Sequence, residues 1–422
     1  MNRTTAVNSQ QKSKHYFKYM IFILMFVEIL DTYTTNNLNV VVSDISGEFF
    51  PFLADDAAIA FYQLFLAVAT LGMFFVVINQ YLTDKFGRKL LLVITIFGMG
   101  FFSLLISLSI NIYMYTIFLF FMYFFFNSDI WVIFINEESP PQKRAFYTNL
   151  VLIGGIIGAL LIPFFHSIIL YWRGMTYFAI ALGMPLSILI LFTFKETSKY
   201  QEYKNSKKSL EQDRNSFRVN LKIIFASKRK SQYIAILVIS LIVGLNNLFI
   251  LVGENFLTKS ALSKDDVDLI VWIMGLASII GYLITGIVAD KYGRKPLLYI
   301  YSILFPISLF IVVFGINLPN IALIVVAIGA GLANLCYWGF RILISIVSLE
   351  IVPTETRGTG TGVKSLVAAS GVTIGLLISF FITYSSGLAL SFIILSSLFL
   401  INLPLIYKYL KETKGINLSD IY

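Results

Sequence analysis

Twelve long apolar stretches limit what this chain can fold into more than any other feature. A helix needs about 20 consecutive apolar residues to cross a bilayer, and it satisfies its own backbone hydrogen bonds in hydrocarbon. The stretches are apolar on all sides and lack the alternation of barrel strands. They run approximately over residues 17–42, 57–82, 90–109, 113–135, 146–170, 172–194, 232–256, 267–289, 296–315, 320–347, 361–384 and 388–409. We therefore predict an all-α polytopic membrane protein with twelve transmembrane helices.

Composition supports this prediction and argues against other classes of protein. Of the 422 residues, 58% are hydrophobic and only 13% are charged, against about 25% charged in soluble domains. Cys336 is the single cysteine, so no disulfide framework can form. His15 and His166 are far apart, and we expect a solvated and a packed side chain, not metal ligands. No metalloprotease or phosphate-binding motif is present, so we expect neither an enzyme nor a cofactor.

The positions of the basic residues predict the orientation in the membrane. Of the 32 Lys and Arg residues, all but Arg173, Lys259, Lys264 and Arg341 fall in the tails, the central linker or the even-numbered loops. By the positive-inside rule, both termini and the linker are cytoplasmic. The net charge of +9 then reflects topology, with lipid headgroups and not nucleic acid as its counterpart. We expect a multi-pass protein of the cell membrane.

The chain carries an internal duplication. Four features recur in the same order: Asn36-Asn37-Leu38 as Asn246-Asn247-Leu248, Asp84-Lys85-Phe86-Gly87-Arg88-Lys89 as Asp290-Lys291-Tyr292-Gly293-Arg294-Lys295, Glu138 and Arg144 as Glu350 and Arg357, and Lys195-Glu196-Thr197 as Lys411-Glu412-Thr413. This repetition predicts two pseudo-symmetric six-helix bundles, residues 1–194 and 232–422, joined by a cytoplasmic linker, 195–231. Each chain would hold a complete transport path, so we expect a functional monomer.

The two Asp-Lys-x-Gly-Arg-Lys loops resemble the signature loops of the major facilitator superfamily. Glu138-x-Pro140, Trp172-Arg173 and the two Lys-Glu-Thr motifs resemble those of its sugar-porter and metabolite–proton symporter branches. The resemblance implies alternating access around a cavity lined by helices 1, 4, 7 and 10. The paired Gln of sugar porters is absent before Asn246, so a carboxylate or other metabolite remains as good a substrate as a sugar.

The charged residues of these loops are candidate gates. Arginine can form bidentate pairs with a carboxylate of a neighbouring helix end, and such networks can hold one conformation closed. The alternative is that the loops are only tight, basic turns. The predicted gating residues are Asp84, Arg88, Glu138, Arg144, Asp290, Arg294, Glu350 and Arg357.

Helix 1 carries two acidic residues, Glu28 and Asp31, at membrane depth. Ionisable groups there are costly and are functional candidates by default. With Thr32, Thr35 and Asn39 they form one polar helix face. Asp31 also resembles the acidic position of proton-coupled symporters. We predict that Asp31 carries a proton, with Glu28 sharing it; the alternative is that both only make structural hydrogen bonds.

Asp129 in helix 4 and Arg341 in helix 10 each lie nine residues before the Glu that ends their helix. That spacing puts both about 13 Å from the helix end, near the membrane midplane. They could pair across the cavity and separate during transport, or Arg341 could bind an anionic substrate group; the alternative is a permanent ion pair. The other predicted substrate-binding residues are Asn246, Asn247, Trp338, Tyr337 and Asn334, and Glu254 and Asn255 extend the polar face of helix 7.

These features together predict a secondary active transporter. It would move a small polar solute, a sugar, carboxylate or related metabolite, by alternating access with proton coupling. A facilitative uniporter and a proton-driven exporter of hydrophobic compounds are the alternatives among transporters. A membrane solute sensor, which would bind without net flux, is the alternative outside that class.

Overall fold

The computed structural model of the chain describes residues 2–125, 130–139, 144–197, 201, 217–352 and 356–413, and these residues form helices and connections without a strand. Asp129 lies outside the described residues. The helices that carry Asp84, Arg144, Asp290 and Arg357 are described, but the side chains of these four residues are not.

Six spanning segments, α1 to α6, make up the first half. They are α1 (Asn2–Asn36, continued by Asn37–Val40), α2 (Asp55–Thr70, Leu71–Phe75 and Val76–Phe86), α3 (Arg88–Ser107), α4 (Ile112–Phe124 and Ile130–Glu138), α5 (Arg144–Ile168) and α6 (Trp172–Thr176 and Tyr177–Thr193). A short helix, Val42–Phe49, lies between α1 and α2. The Asn111 side chain caps α4 by accepting a hydrogen bond of 2.9 Å from the Met114 backbone N–H.

Six further segments make up the second half. They are α7 (Lys230–Leu245 and Leu248–Thr258), α8 (Lys264–Tyr292), α9 (Arg294–Gly315), α10 (Ala322–Ile351), α11 (Arg357–Ser386) and α12 (Leu388–Leu398, Phe399–Ile401 and Asn402–Tyr409). The linker helix Phe217–Ala226 precedes them. A capping box between Ser263 and Asp266 begins α8, since each side chain accepts from the other's backbone N–H.

The twelve predicted segments all appear as helix, and ten helical spans among the described residues are long and apolar enough to cross a membrane. The two others are α1 and α4. The acidic and amide side chains of α1 lower its hydropathy, and α4 is described in two pieces.

Glycines bring equivalent helix pairs into contact in both halves. A Cβ atom at Gly154 of α5 would lie 2.4 Å from the Met25 carbonyl oxygen of α1, and one at Gly371 of α11 would lie 2.3 Å from the Leu241 carbonyl oxygen of α7. Gly158 and Gly375 repeat these contacts one turn further along. A Cβ atom at either position would lie 2.6 Å from a carbonyl oxygen of the facing helix. Small residues allow such close approach of backbones in membranes. The duplication is therefore present in the packing as well as in the sequence.

The halves meet along two seams, α2 against α11 and α5 against α8. In the first, the hydroxyl oxygens of Thr70 and Thr373 lie 2.8 Å apart. In the second, the Trp272 indole N–H donates a 3.0 Å hydrogen bond to the Ser167 hydroxyl.

Candidate transport site and gates

The first signature loop forms a compact charged cluster at the end of the molecule that carries the even-numbered loops, here called the basic end. The Arg88 guanidinium contacts Glu137 Oε1 at 3.3 Å and donates to the Thr83 carbonyl oxygen at 3.2 Å. The Glu196 carboxylate accepts hydrogen bonds from the backbone N–H groups of Arg88 and Lys89 at 3.0 and 3.2 Å. A carboxylate at a helix N-terminus also complements the helix dipole, so Glu196 stabilises the start of α3.

The second signature loop repeats this cluster. The Arg294 guanidinium contacts Glu350 Oε1 at 3.1 Å and donates to the Ala289 carbonyl oxygen at 3.1 Å. Glu412 accepts from the backbone N–H groups of Arg294 and Lys295 at 2.9 and 3.0 Å. Gly293 has a φ of +102°, and a Cβ atom there would lie 2.6 Å from Glu412 Oε2. The loop therefore requires glycine both for its conformation and for the approach of the carboxylate.

The capping role of Glu196 and Glu412 was not predicted from the sequence, although the repeated Lys-Glu-Thr motif was the signal for it. The sequence comparison of the two halves matched Glu138 with Glu350. In the structure, Glu137 contacts Arg88 in the way that Glu350 contacts Arg294, so Glu137 is the equivalent of Glu350. Pairing Glu137 with Glu350 gives the same separation as Arg144 and Arg357. At that separation the residue equivalent to Arg341 is Ser128, one position before Asp129.

Arg341 lies on an aromatic surface midway along the second half. The carbon at the centre of its guanidinium group is 5.1 Å from the centre of the Trp338 ring, a cation–π distance. The Tyr282 ring of α8 lies 5.7 Å from Trp338, and the Tyr337 ring 5.5 Å. Arg341 is nevertheless exposed. A charged group at this depth faces water or protein in preference to lipid, so Arg341 indicates an open polar cavity.

Glu28 faces the same region from the first half. Its carboxylate and the Arg341 guanidinium both lie close enough to the Tyr282 hydroxyl to act on it electrostatically. Gly155 of α5 leaves room for Glu28, because a Cβ atom there would lie 3.0 Å from Glu28 Oε1. Asp31 is half-buried one turn further along α1. This region therefore has one acidic group, Glu28, on its α1 side and a cation, Arg341, on its α10 side.

The Asn-Asn pairs mark breaks in the first helix of each half. The α-helical part of α1 ends at Asn36, and α7 is interrupted between Leu245 and Leu248. The Asn37 amide donates to the Met175 carbonyl oxygen at 2.8 Å. The side-chain oxygens of Asn246 and Asn247 are buried and accept no hydrogen bond from the described residues. Unsatisfied acceptors at a helix break are suited to a polar ligand.

Two of the predicted binding residues lie within the helix packing of the second half. The Asn334 amide donates to the Ala330 carbonyl oxygen at 3.0 Å and accepts from the Ser278 hydroxyl at 3.3 Å. Tyr337 is buried, with its ring 6.0 Å from that of Phe305. Both side chains therefore support the wall that holds Trp338 and Arg341.

Glu254 joins the two halves at the opposite end of the molecule. Its carboxylate accepts hydrogen bonds from the backbone N–H of Ser43 at 2.9 Å and from the hydroxyls of Ser43 and Thr258. Asn255 adds a 3.3 Å hydrogen bond to the Ser46 hydroxyl. The sequence grouped Glu254 and Asn255 with the polar substrate-facing side of helix 7. The structure puts them in contact with the short helix after α1 instead, where they hold the halves together.

A second set of contacts closes the same end. His166 Nδ1 lies 2.8 Å from Asp268 Oδ1, linking α5 to α8, so His166 has an acidic partner that the sequence did not predict. Lys259 and Asp55 form an ion pair of 2.9 Å between the halves. Together with Glu254 and Asn255, these contacts link the described parts of the two halves at this end.

Two helical halves that surround a charged cavity, with one end closed, define a membrane transporter of a small molecule and not an enzyme. The sequence comparison agrees, since residues 21–253 and 234–419 match the family model of the Major Facilitator Superfamily. The chain belongs to this family, and it is a multi-pass membrane protein.

A curated relative is the sialic acid transporter NanX of Escherichia coli strain K12, which is 24% identical over 313 residues, or 72% of this chain and 73% of the relative. Among solved structures, a D-xylose-proton symporter matches with a TM-score of 0.75 and 17% identity, covering 95% of this chain and all of the other. The inward-open xylose transporter XylE of E. coli matches with a TM-score of 0.71 and 16% identity, covering 96% and 99%. These structural matches show the fold that the sequence predicted.

Proposed function

We propose that this protein is a proton-coupled transporter of an acidic sugar or a related carboxylate metabolite. The observation that carries the proposal is Arg341, an exposed guanidinium on an aromatic surface in the middle of the second half. Arginine matches the planar geometry of a carboxylate and remains charged at any physiological pH. Trp338 and Tyr282 beside it offer the apolar faces on which a sugar ring can pack.

The curated relative supports this substrate class, because NanX is named for a sialic acid, and sialic acids combine a sugar ring with a carboxylate. Asn246 and Asn247 complement it, since their free amide oxygens can accept hydrogen bonds from sugar hydroxyl groups. In this arrangement Arg341 binds the acidic group and the break in α7 binds the hydroxylated part of the substrate. Asp129, outside the described residues, would help to set the charge of the cavity in the free state.

Proton coupling is assigned to α1. Asp31 and Glu28 lie at membrane depth, three residues apart on α1, and ionisable groups at that depth are functional candidates by default. A proton on α1 would offset the negative charge that an acidic substrate brings into the cavity. The match to the fold of a D-xylose-proton symporter is compatible with this assignment.

The arrangement of the gates supports alternating access. In our proposal the end closed by Glu254 and Ser43 is extracellular, and the basic end is cytoplasmic. The structure then represents an inward-facing state. The clusters around Arg88 and Arg294 would stabilise the closure of the basic end when the halves rock the other way. This assigns gating to Arg88, Glu137, Arg294 and Glu350, with Asp84, Glu138, Arg144, Asp290 and Arg357 nearby.

Proton flux in proteoliposomes tests the proposal. Vesicles that contain a pH dye would receive sialic acid, its uncharged methyl ester, xylose or a simple carboxylate, one at a time. We expect sialic acid to drive saturable proton movement, and both Arg341→Gln and Asp31→Asn to abolish it. Lys408→Gln, which changes an exposed lysine in the last turn of α12, serves as the matched control and should behave like the wild type.

Each other outcome identifies an alternative. Flux of sialic acid without protons would establish a uniporter and overturn the role of Asp31. Binding of sialic acid without flux would establish a sensor. Flux of the methyl ester equal to that of the acid would overturn the role of Arg341, since the ester replaces the negative carboxylate by a neutral group that is one methyl larger.

A further inference from the structure

The linker helix Phe217–Ala226 lies along the membrane rim of the second half. The Asn220 amide donates a 3.0 Å hydrogen bond to the Thr359 hydroxyl in the first turn of α11. Five residues further on, the Phe225 ring lies 5.8 Å from the ring of Tyr233 in the first turn of α7. Both partners lie in the first turn of an apolar span long enough to cross a membrane. The helix is therefore held at two points at the level of the membrane surface.

A tight turn joins this helix to α7 and keeps it beside the membrane. Only residues 227–229 separate the two helices. The Ser227 backbone N–H donates to the Ile224 carbonyl oxygen at 3.3 Å, and the Lys230 backbone N–H donates to the Ser227 carbonyl oxygen at 3.1 Å. Ile224 is itself buried, so one side of the helix packs against the protein. The exposed residues form the rest of its surface, here called the outer face of the linker helix: Arg218, Val219, Lys222, Ile223, Phe225 and Ala226.

The outer face combines apolar and basic side chains. Val219 and Ile223 are four residues apart, so they are neighbours on the helix surface, and Phe225 is a third exposed apolar side chain. Arg218 and Lys222 are likewise four residues apart. An amphipathic helix that carries large apolar side chains together with Lys or Arg is suited to the boundary between lipid headgroups and acyl chains.

The charge of this segment is of one sign. Residues 217–230 contain five Lys or Arg residues and no Asp or Glu. Arg229 donates to the Glu350 carbonyl oxygen at 3.4 Å, whereas Lys228 and Lys230 are exposed like the two cations of the outer face. A group of cations beside the start of a spanning helix attracts anionic lipid headgroups. A soluble acidic partner would also match these charges, but the position of the helix at membrane level favours lipid.

We infer that the outer face of the linker helix binds anionic phospholipids of the leaflet that borders the basic end. Arg218 and Lys222 pair with the negatively charged headgroups, and the apolar side chains enter the boundary with the acyl chains. The bound lipid fastens the end of the cytoplasmic linker beside the starts of α7 and α11. Neither the substrate nor the proton takes part in this contact, so it stands or falls independently of the proposed function.

The depth of a spin label at Ala226 tests this binding in vesicles that contain the full chain. Ala226 lies on the outer face, and labelling it in a Cys336→Ser background removes neither a charge nor a large apolar side chain. The vesicles would consist of phosphatidylcholine alone or with increasing fractions of phosphatidylglycerol. Collisions of the label with oxygen, which concentrates in lipid, and with a water-soluble nickel chelate report its depth. We expect phosphatidylglycerol to shield the label from the chelate, and high salt to reverse the shielding.

Charge variants measure the contribution of the two cations. Each Lys or Arg near an anionic surface strengthens binding by about fivefold. At the phosphatidylglycerol fraction that shields half of the wild-type labels, the double variant Arg218→Gln, Lys222→Gln should therefore change the ratio of shielded to exposed label from 1:1 to about 1:25. Lys408→Gln, which changes an exposed lysine at the same end but outside the linker helix, should leave the ratio at 1:1.

Three results would overturn the inference. Equal access of the chelate in all vesicles would mean that the outer face stays in water. Equal shielding with and without phosphatidylglycerol would mean that the charges of Arg218 and Lys222 play no part. Shielding that rises with the ratio of protein to lipid would mean that a second copy of the chain covers the face. Monodisperse elution of each variant in detergent verifies folding, so that a loss of shielding is not mistaken for unfolding.

Discussion

The Glu254 carboxylate in α7 accepts hydrogen bonds from both the backbone N–H and the hydroxyl of Ser43, in the short connection after α1. The two residues belong to different halves, and only 5% of the Glu254 surface is exposed. If the halves separate, this deeply buried acceptor loses both hydrogen bonds from Ser43 and keeps the one from Thr258 on its own helix, unless water replaces the lost bonds. The bond therefore couples closure of this end to the satisfaction of one buried charge.

Replacing Glu254 by Ala should shift the protein towards the state in which this end is open. Losing these charged hydrogen bonds should destabilise the closed end by about 1–3 kcal/mol, which changes the conformational equilibrium constant by about 5- to 150-fold. Spin labels at Phe52 and Asp265, exposed in opposite halves at this end, would report the opening by electron–electron distance measurements in a Cys336→Ser background. We expect the long-distance population to increase.

The Lys259–Asp55 ion pair provides the contrast. Its side chains are 41% and 69% exposed, and exposed ion pairs contribute little. Asp55→Asn should leave the same distance distribution almost unchanged. If Asp55→Asn opened this end as much as Glu254→Ala, the burial of Glu254 would not be what holds the halves together.

Glu48 should give the first half an acid-dependent contribution to stability. Its carboxylate accepts from the Arg173 guanidinium at 2.5 and 2.6 Å and from the Trp172 indole N–H at 2.7 Å. The hydrogen bonds from Arg173 hold the pKa of the Glu48 carboxyl below its ordinary value of 4.5. A depressed pKa stabilises the folded state above the unfolded pKa, and the contribution is lost as the pH falls through the folded pKa.

The melting temperatures of the wild type and Glu48→Gln, measured over a range of pH, test this direction of the pH dependence. The variant should melt lower than the wild type at pH 7, and the gap should narrow only below about pH 4.5, where Glu48 begins to protonate. The gap should be small, because the Glu48 side chain is 40% exposed. A gap that widened as the pH fell would contradict the assignment.

The glycine contacts between α7 and α11 should be essential for packing. A Cβ at Gly371 would lie 2.3 Å from the Leu241 carbonyl oxygen, so Gly371→Ala must push the helices apart. We expect a loss of about 2 kcal/mol or more, or failure to fold. Yield of monodisperse protein and its melting temperature are the measurements.

Gly286 is the matched control for this substitution. It lies in α8, one turn before the second signature loop, and an added Cβ would meet nothing within 4 Å. Gly286→Ala should therefore leave the melting temperature unchanged or raise it, because alanine favours helix by about 1 kcal/mol. A large loss of stability at Gly286 together with a small one at Gly371 would contradict the packing described above.

Glu137 and Glu138 should differ in their effect on transport rate. Glu137 contacts Arg88 and also accepts from the Thr197 hydroxyl, so it joins α4 to α3 and to the end of the first half. Glu137→Gln should lower turnover about tenfold, since it weakens a partly buried charged contact. Glu138→Gln should lower it less. Equal effects, measured as initial rates of uptake, would return Glu138 to the role that its sequence position suggested.

The sequence could predict the architecture because hydropathy and repeated motifs are properties of the chain itself and do not depend on how the two halves pack against each other. Runs of apolar residues fix which segments enter a membrane, and repeated motifs such as Lys195-Glu196-Thr197 reveal the duplication. The Asn-Asn pairs were visible as a repeat, but the helix breaks they mark were not. Arg341 could be identified because a charged side chain at membrane depth costs free energy and therefore requires a function or a partner.

Contacts between helices were less predictable because one residue turns a helix by about 100°. Glu137 and Glu138 are adjacent glutamates, and the sequence does not distinguish which of them reaches Arg88. The packing of α4 on α3 decides that Glu137 makes the contact. Glu254 shares a polar face with Asn246 and Asn247 in the sequence. The break in α7 and the position of the short helix after α1 put Glu254 at the closed end instead.

The sequence by itself therefore determined the twelve helices, the two halves, the signature loops and the presence of buried charges, since these follow from local hydropathy and from repetition along the chain. Only the tertiary structure decided which charges meet. The pairing of Glu254 with Ser43, of His166 with Asp268 and of Lys364 with Ser345 depends on how separate helices approach each other. That approach is set by the packing of small residues and by the seams between the halves, which no single segment encodes.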